Sequence, residues 1–141
     1  MKVLVIGGVA AGTKAAAKIK RQNRSAEVKI LTQSADISYA GCGLPYYVGG
    51  MIESREELIV NTPEKYTGLT GVEVVTRCEV TSVNFQAKTV TALCQGQTWL
   101  ESYDKLVIGT GATPFVPQVE GIRLPGVFTM RTPDDAIALR A

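Results

Sequence analysis

A short apolar run followed directly by a cluster of glycines constrains the fold more than any other part of this sequence. The run is KVLVI, from Lys2 to Ile6, and Gly7, Gly8 and Gly12 separate it from the alanine- and lysine-rich segment Ala11 to Gln22. A continuous apolar run is typical of a strand that is buried on both faces, and the segment after it has the composition and spacing of a helix. The glycines predict a tight turn that presents the N-terminus of the helix to a phosphate group.

The match to a dinucleotide-binding pattern is incomplete at two places. Val9 stands where the full pattern has a glycine. The acidic residue for ribose hydroxyls is expected at the end of the second strand, Glu27 to Leu31, and that place is taken by Thr32, followed by Gln33. A threonine can form a hydrogen bond to a hydroxyl, but it offers no charge-assisted one. A purely structural turn therefore stays open as an alternative.

The rest of the chain predicts an α/β fold with a parallel sheet and a three-stranded antiparallel meander. The meander is indicated by three alternating, β-branched segments joined by short polar turns. These segments are Glu79 to Phe85, Lys88 to Cys94 and Gln97 to Tyr103. The other predicted elements are a helix from Pro63 to about Leu69, strands Val72 to Thr76, Lys105 to Gly109 and Val127 to Met130, and a helix from Thr132.

Composition excludes several classes of function. The 141 residues include no histidine, so the chain holds no histidine-based triad, zinc site or general base, and we expect no metal. Fifteen Lys and Arg against thirteen Asp and Glu give a net charge of +2, which is too balanced for a dedicated nucleic-acid binder. Three widely spaced cysteines fit neither a disulfide framework nor a metal knuckle. We expect Cys78 and Cys94 to be buried free thiols and the chain to be cytoplasmic.

Cys42 differs from the other two cysteines in its surroundings. It lies between Gly41 and Gly43, just ahead of a predicted short helix. The positive end of a helix dipole favours the nucleophilic thiolate, and the flanking glycines leave room for a planar partner beside the sulfur. The alternative is that Cys42 is a small buried residue, which is the common fate of a free cysteine.

Three motifs, in order, give the chain a resemblance to a known family. They are VIGGVAAG at 5–12, ISYAGCGLPYYVGG at 37–50 and YDKLVIGTGATP at 103–114. The chain resembles the FAD-dependent pyridine nucleotide-disulfide oxidoreductases over nearly its whole length, and in particular their single-cysteine branch. That branch contains coenzyme A-disulfide reductases, persulfide reductases, NADH peroxidases and NADH oxidases. The fold implied is a Rossmann-like FAD-binding domain.

The resemblance implies redox chemistry at Cys42. Disulfide reductases of the wider family carry a second cysteine five residues later, where this chain has Tyr47. Electrons would pass from NAD(P)H to FAD and then to Cys42, which would cycle between a thiolate and a mixed disulfide, sulfenate or persulfide. Peroxidases and oxidases of the branch place a histidine where this chain has Ala10, so the resemblance favours reduction of coenzyme A disulfide or a persulfide. Gly41 replaces the asparagine that is common before the cysteine.

The resemblance also implies a set of binding residues. Those expected to contact FAD are Gly7, Gly8, Val9, Ala10, Ala11, Gly12, Thr32, Gln33, Val80, Thr110 and Gly111. Those expected to contact the substrate are Lys14, Lys18, Arg21 and Ser38. The three cationic residues fall at i, i+4 and i+7 on one face of the first helix, which suits the phosphates of coenzyme A. A solvated helix face is the alternative reading of that pattern.

The family pattern places a second glycine-rich turn, for NAD(P)H, soon after a segment like Arg131 to Arg140. We therefore expect residues 1–118 to be the N-terminal part of an FAD-binding domain, and 119–141 to cross toward an NAD(P)H-binding domain of a homodimeric protein. Alone, this part is expected to bind flavin weakly and not to turn over. Two alternatives stay open, namely an oxidase or peroxidase of the same family and a non-catalytic nucleotide-binding module.

Overall fold

Seven strands and four α-helices make up the computed structural model, which describes residues 1–141. The strands are β1 (Lys2–Ile6), β2 (Glu27–Leu31), β3 (Glu73–Val75), β4 (Cys78–Asn84), β5 (Thr89–Cys94), β6 (Gln97–Ser102) and β7 (Lys105–Ile108). The helices are α1 (Ala10–Gln22), α2 (Leu44–Val48), α3 (Pro63–Thr70) and α4 (Pro133–Arg140). The chain divides into one unit of residues 1–38 and 61–111 and a second unit of residues 39–60 and 112–141.

The first unit is built on a four-stranded parallel sheet in the order β3-β2-β1-β7. Successive residues of a strand point to opposite faces, and both faces of β1 are covered. Val3 and Val5 pack in a core cluster with residues of α1 and α3. Leu4 and Ile6 pack in another cluster with residues of the meander. This double burial is the reason why β1 is apolar at every position except Lys2.

The second sheet of this unit is the antiparallel meander β4-β5-β6, with a register shift in β4 between Val80 and Ser82. Cys78 and Cys94 are directly opposite each other on β4 and β5 and form a disulfide. Both are buried as expected, but the expectation of free thiols was wrong. The strand pattern conceals this pairing, because the register that opposes the two cysteines depends on the turn between the strands.

A cluster of charges links β6 to the parallel sheet. Glu101 lies 2.5 Å from Lys2 and 3.0 Å from Lys29, and Lys29 also reaches Glu73 at 3.3 Å. Burial raises the pKa of Glu101, but hydrogen bonds from the two lysines and their charges outweigh burial, so that the pKa lies below its ordinary value. For Lys29 the signs are opposite. Burial lowers its pKa, but hydrogen bonds to Glu101 and Glu73 and their charges outweigh burial, so that the pKa lies above its ordinary value.

The second unit contains α2, α4 and two 3₁₀ turns, Gly41–Gly43 and Arg55–Leu58. Its core is formed by Leu44, Leu58 and Ala136. Thr132 caps α4 through its side chain, which accepts from the N–H of Asp135, while the Asp135 carboxylate accepts from the N–H of Thr132. The helix predicted from Thr132 thus begins with its expected N-terminal cap.

The predicted α/β architecture, with a parallel sheet and a three-stranded meander, is confirmed. The predicted strand at Val127 to Met130 is wrong, since this segment has no strand partner. Val127 and Phe128 are both about half exposed, at 49% and 48%. An apolar run becomes a strand only where a neighbouring strand accepts its hydrogen bonds. Within the described residues, no helix combines the length and apolar character that crossing a membrane requires.

Candidate functional site

The glycine turn after β1 brings three backbone segments into close contact. Gly7 has φ +103°, a conformation that side chains other than glycine rarely adopt. A Cβ on Gly7 would strike the carbonyl of Gly109 at the end of β7, and a Cβ on Gly12 would strike the carbonyl of Gly7. The turn therefore depends on glycine both for its backbone conformation and for the approach of α1 to β1.

The N-terminus of α1 is free of competing negative charge. The helix starts at Ala10, and Val9 at the N-cap position provides no side-chain cap. The first turn of α1 contains no acidic residue, and Ala10 and Ala11 are exposed. The first N–H groups of a helix lack partners within it and carry the positive end of the helix dipole. The glycine turn and α1 together form a cradle that fits a phosphate or pyrophosphate group.

Two further predicted residues lie around Gly8. A Cβ on Gly8 would come within 3.1 Å of the Thr32 Cβ, and the Ser38 N–H donates a 2.9 Å hydrogen bond to the Gly8 carbonyl. Ser38 has φ +49°, and its hydroxyl accepts a 3.4 Å hydrogen bond from the side chain of Asn61. Thr32 is buried, whereas Gln33 beside it is exposed. Thr32 and Ser38 thus belong to the same turn region as the glycines.

The residues that follow β7 also lie against the glycine turn. The Gly109 N–H donates a 2.7 Å hydrogen bond to the Ile6 carbonyl. The Thr110 nitrogen lies 3.3 Å from the position that a Cβ on Gly7 would take. Thr110 and Gly111 are exposed, and Gly111 has φ +75°. Val80 differs from these residues, because it lies on β4 and packs against the core beneath the meander.

Tyr66 on α3 forms a hydrogen bond to the backbone of α1, and the sequence pattern did not indicate this contact. Tyr66 is buried on α3, and its hydroxyl donates to the carbonyl of Thr13 in α1. The Thr13 hydroxyl in turn donates to the carbonyl of Val9, next to the helix N-terminus. Burial raises the pKa of Tyr66 above its ordinary value. An isolated tyrosine in an amphipathic helix carries no signal for such a contact, since the contact depends on how α3 packs against α1.

The basic side chains of α1 differ in whether they have a partner within the chain. Lys14, Lys18 and Arg21 are all exposed, and none of them forms an ion pair within the chain. Lys20 is committed elsewhere, because its ammonium group donates a 2.7 Å hydrogen bond to the carbonyl of Ala26. The three predicted residues therefore form a positive surface with no ion-pair partner.

Cys42 lies in the second unit, in the middle of the 3₁₀ turn Gly41–Gly43, and it is free and exposed. A Cβ on Gly43 would lie 3.2 Å from Leu58 and 3.3 Å from Ile52, so that this glycine lets the turn sit close to the core of the unit. The helix that follows, α2, has only five residues. A helix this short has a small dipole, so what the structure shows of Cys42 is that its thiol is free and accessible.

Tyr47, at the place of a second family cysteine, is held by Arg140. The guanidinium lies 4.5 Å from the centre of the Tyr47 ring, which is within cation–π distance. The same guanidinium donates 3.1 Å hydrogen bonds to the carbonyls of Ile52 and Glu53. Arg140 thereby joins α4 to α2 and to the loop after α2, close in sequence to Cys42.

The chain belongs to the pyridine nucleotide-disulphide oxidoreductase family, whose model matches residues 1–141. It is 35% identical over 142 residues to an NADH oxidase from Methanocaldococcus jannaschii, covering 99% of this chain and 31% of the relative. It is 34% identical to a coenzyme A disulfide reductase from Staphylococcus aureus, covering 98% of this chain and 31% of the relative. Among solved structures, an NAD-dependent persulfide reductase from A. fulgidus matches with a TM-score of 0.92 and 36% identity, over 97% of this chain and 26% of that one.

The chain spans about a third or less of the length of these relatives. The family is one of flavin- and NAD(P)H-dependent oxidoreductases, and the expected resemblance to this family is confirmed. The relatives carry the names of reductases of sulfur compounds and of an oxidase.

Proposed function

We propose that this chain is the FAD-binding, thiol-carrying part of an NAD(P)H-dependent flavoprotein that reduces coenzyme A disulfide or related persulfides. The observation that carries the proposal is the state of Cys42, which is free and exposed while the other two cysteines are buried and joined to each other. Relatives that cover nearly all of this chain are named as coenzyme A disulfide and polysulfide or persulfide reductases. A homodimeric assembly and a cytoplasmic location stay predictions from the sequence.

The FAD pyrophosphate would be held by the glycine turn and the N-terminus of α1, from Gly7 to Gly12. The residues there fit the group, because the turn leaves no room for side chains and the first helical turn offers N–H groups with no acid beside them. Thr32 and Gln33 would face the ribose, Thr110 and Gly111 the flavin end, and Val80 the adenine. FAD reduced by NAD(P)H would supply the two electrons that return the oxidised sulfur to a thiolate.

Cys42 would act as the nucleophile. Its thiolate attacks one sulfur of a disulfide, so that a new S–S bond to Cys42 forms, the original S–S bond breaks, and one thiolate leaves. Two electrons and a proton then release the second thiol and regenerate the Cys42 thiolate. With Tyr47 at the place of a second cysteine, no neighbouring thiol in this turn can resolve the mixed disulfide, which makes the reductant the resolving partner.

The exposed basic face of α1 would bind the phosphates of coenzyme A. Lys14, Lys18 and Arg21 are free to do so, and Ser38 lies beside the glycine turn. In the holoenzyme, Lys18→Glu is expected to raise the KM for coenzyme A disulfide about fivefold, with kcat nearly unchanged, because an exposed charge contributes about 1 kcal/mol. Lys88→Glu, at an exposed turn of the meander, is the matched charge control. An equal effect of both variants would contradict a specific site on α1.

The central test is Cys42→Ser in the purified holoenzyme, assayed with NADH and NADPH against coenzyme A disulfide, a coenzyme A persulfide and peroxide. We expect loss of sulfur reduction with the yellow flavin retained. Tyr46→Phe, an exposed neighbour, is the control for local disturbance. Sulfur reduction retained by Cys42→Ser would remove Cys42 from the mechanism. Protein that carries no flavin and shows no thermal shift with FAD would favour the non-catalytic nucleotide-binding module.

Oxidase activity is the second candidate, because a relative that covers 99% of this chain is named an NADH oxidase. The same substrate panel separates the two candidates. An oxidase would consume NAD(P)H and oxygen, and addition of coenzyme A disulfide would leave the rate of NAD(P)H consumption unchanged. A sulfur reductase would release two thiols for each NAD(P)H and would react slowly with oxygen.

A further inference from the structure

Arg140, on α4, forms contacts with two segments next to Cys42, and the function proposed above does not use it. Its guanidinium lies 4.5 Å from the centre of the Tyr47 ring in α2, and it donates 3.1 Å hydrogen bonds to the carbonyls of Ile52 and Glu53 in the loop after α2. These residues and Cys42 belong to the same unit of the chain. One side chain therefore holds a helix and a loop that are both close to Cys42 in the sequence.

The first of these segments, α2, follows the 3₁₀ turn Gly41–Gly43 directly and begins at Leu44. Leu44 is buried and packs in one cluster with Ala136 of α4, and Tyr47 packs against the same cluster. Leu44 and Tyr47 are three residues apart and therefore lie on the same side of α2. The contact of Arg140 with the Tyr47 ring thus restrains the rotation of α2 about its axis, and with it the direction of the turn that precedes the helix.

The second segment, the loop after α2, also packs against this turn. A Cβ on Gly43 would lie 3.3 Å from Cδ1 of Ile52, so that the Ile52 side chain is an immediate neighbour of Gly43. The Ile52 N–H donates a 3.2 Å hydrogen bond to the Tyr46 carbonyl, and the Ile52 carbonyl accepts one from Arg140. Loss of the Arg140 contact would free Ile52 to move away from Gly43.

The turn itself supplies few restraints on Cys42. It is three residues long, it has no side-chain cap, and glycine stands on both sides of the cysteine. Glycine has more backbone freedom than any other residue. A thiolate must attack a disulfide at one of its sulfur atoms, and a fixed orientation of the reacting group lowers the barrier of such a step. The orientation of this thiol must therefore be fixed by contacts from outside the turn.

We propose that Arg140 is a positioning residue for Cys42, which fixes the direction of the exposed thiol through its contacts with Tyr47 and Ile52. The proposal rests on the function proposed above for the role of Cys42 as a nucleophile toward disulfides. A guanidinium suits this task, because it is planar and permanently charged, so that it can lie over an aromatic ring while its N–H groups donate to carbonyl oxygens. Lysine offers the charge without the plane, and methionine offers neither.

Thiol–disulfide exchange with 2-hydroxyethyl disulfide tests the positioning in the purified protein without NAD(P)H. This probe is uncharged, so loss of the Arg140 charge does not alter its attraction to the protein. The Cys42 thiolate bonds to one sulfur of the probe, and the other half leaves as a thiolate that takes up a proton. Unreacted thiols are then blocked with N-ethylmaleimide. Trypsin cleavage after Lys29 and Arg55 leaves Cys42 as the one cysteine of peptide 30–55, where mass spectrometry measures the adduct.

The rate constant is measured from about pH 6 to 10, because only the thiolate reacts and the rate reaches a plateau once the thiol is fully ionised. Arg140→Met is expected to lower this plateau about fivefold, which corresponds to about 1 kcal/mol, the size of an exposed cation–π contact. An effect of the Arg140 charge on ionisation alone would shift the curve along the pH axis and leave the plateau unchanged. An unchanged or higher plateau would overturn the proposal.

Four further variants accompany Arg140→Met. Tyr47→Leu removes the ring without changing any charge and should also lower the plateau, whereas Tyr47→Phe keeps the ring and should match wild type. Arg140→Lys keeps the charge and should lie between wild type and Arg140→Met. Arg123→Met, which removes an exposed arginine of the same unit, is the matched control and should leave the plateau unchanged. If Arg140→Met fails to fold, equal plateaus of Tyr47→Leu and Tyr47→Phe would overturn the proposal.

Turnover of the holoenzyme separates this proposal from the proposed function. With coenzyme A disulfide, Arg140→Met should lower kcat about fivefold and leave KM nearly unchanged, because the phosphates are expected to bind on α1. A KM that rises with kcat unchanged would refute the positioning. A wild-type holoenzyme that does not reduce sulfur compounds would count against the proposed function, while a lowered plateau in Arg140→Met would still support the positioning of Cys42.

Discussion

The close approach of α1 to β1 can be tested by one methyl group at Gly12. In the alanine variant the new Cβ would collide with the carbonyl oxygen of Gly7, and it would lie 2.9 Å from the Gly7 carbonyl carbon and 3.2 Å from Val5. The obstacle is backbone, which cannot rotate away as a side chain could, so the first turn of α1 must move.

Two opposing terms set the expected magnitude. Alanine is favoured over glycine within a helix by at most about 1 kcal/mol. Overpacking a close contact costs about 1–3 kcal/mol, and here the contact is shorter than real Cβ contacts. Because the contact is this short, the upper end of the cost applies, and subtracting the helix term leaves an expected loss of about 2 kcal/mol in the free energy of unfolding for Gly12→Ala, with Tm lower by on the order of 5–10 °C.

Gly68→Ala in α3 is the matched control. Gly68 is also helical, and a Cβ there would meet nothing within 4 Å. Only the propensity term acts at this position, so the variant should be more stable than wild type by about 0.5–1 kcal/mol. Urea denaturation followed by circular dichroism measures both. If Gly12→Ala proved as stable as Gly68→Ala, the close packing of α1 on the glycine turn would be refuted.

Three further predictions concern contacts away from the turn. Glu101→Gln should lower the free energy of unfolding by about 1–2 kcal/mol at pH 7. Because the folded-state pKa of Glu101 is lowered, its contribution to stability is present above a pH of about 4.5 and is lost as pH falls through the folded pKa. Urea denaturation curves of variant and wild type should therefore converge in acid. Tyr66→Phe should lose about 1 kcal/mol in the same assay at pH 7, and this loss should shrink as pH rises above about 10, since the raised pKa of Tyr66 makes its stability fade there. Thr132→Ala should cost about 1 kcal/mol and speed amide exchange at Asp135, because the helix cap is removed; unchanged exchange would contradict the cap.

Features that depend on neighbours in sequence could be predicted. The strand and the helix at the N-terminus follow from local periodicity, and the structure contains them as β1 and α1. The turn between them follows from a backbone conformation that only glycine adopts readily, and Gly7 has this conformation. The meander followed from alternation and short turns. The start of α4 followed from the run Thr-Pro-Asp-Asp at 132–135.

Features that depend on register or on packing between elements could not. The Cys78–Cys94 bond requires knowing which residues face each other across a hairpin, and a shift by one residue would separate them. The hydrogen bond from Tyr66 to α1 depends on how two helices pack. Val127 to Met130 has the composition of a strand, but no other strand accepts its hydrogen bonds.

In the function proposed above, the preference for a sulfur over an oxygen substrate rests on one position in the glycine turn. Ala10 begins α1, and it is exposed there. A methyl group can neither donate nor accept a proton, so Ala10 cannot do what a histidine at this place could. In the proposed mechanism Cys42 forms the covalent bond to the substrate sulfur, so that no group of this turn has to transfer a proton to oxygen. On this ground we propose a sulfur substrate, and the assays with coenzyme A disulfide, a coenzyme A persulfide and peroxide test the choice.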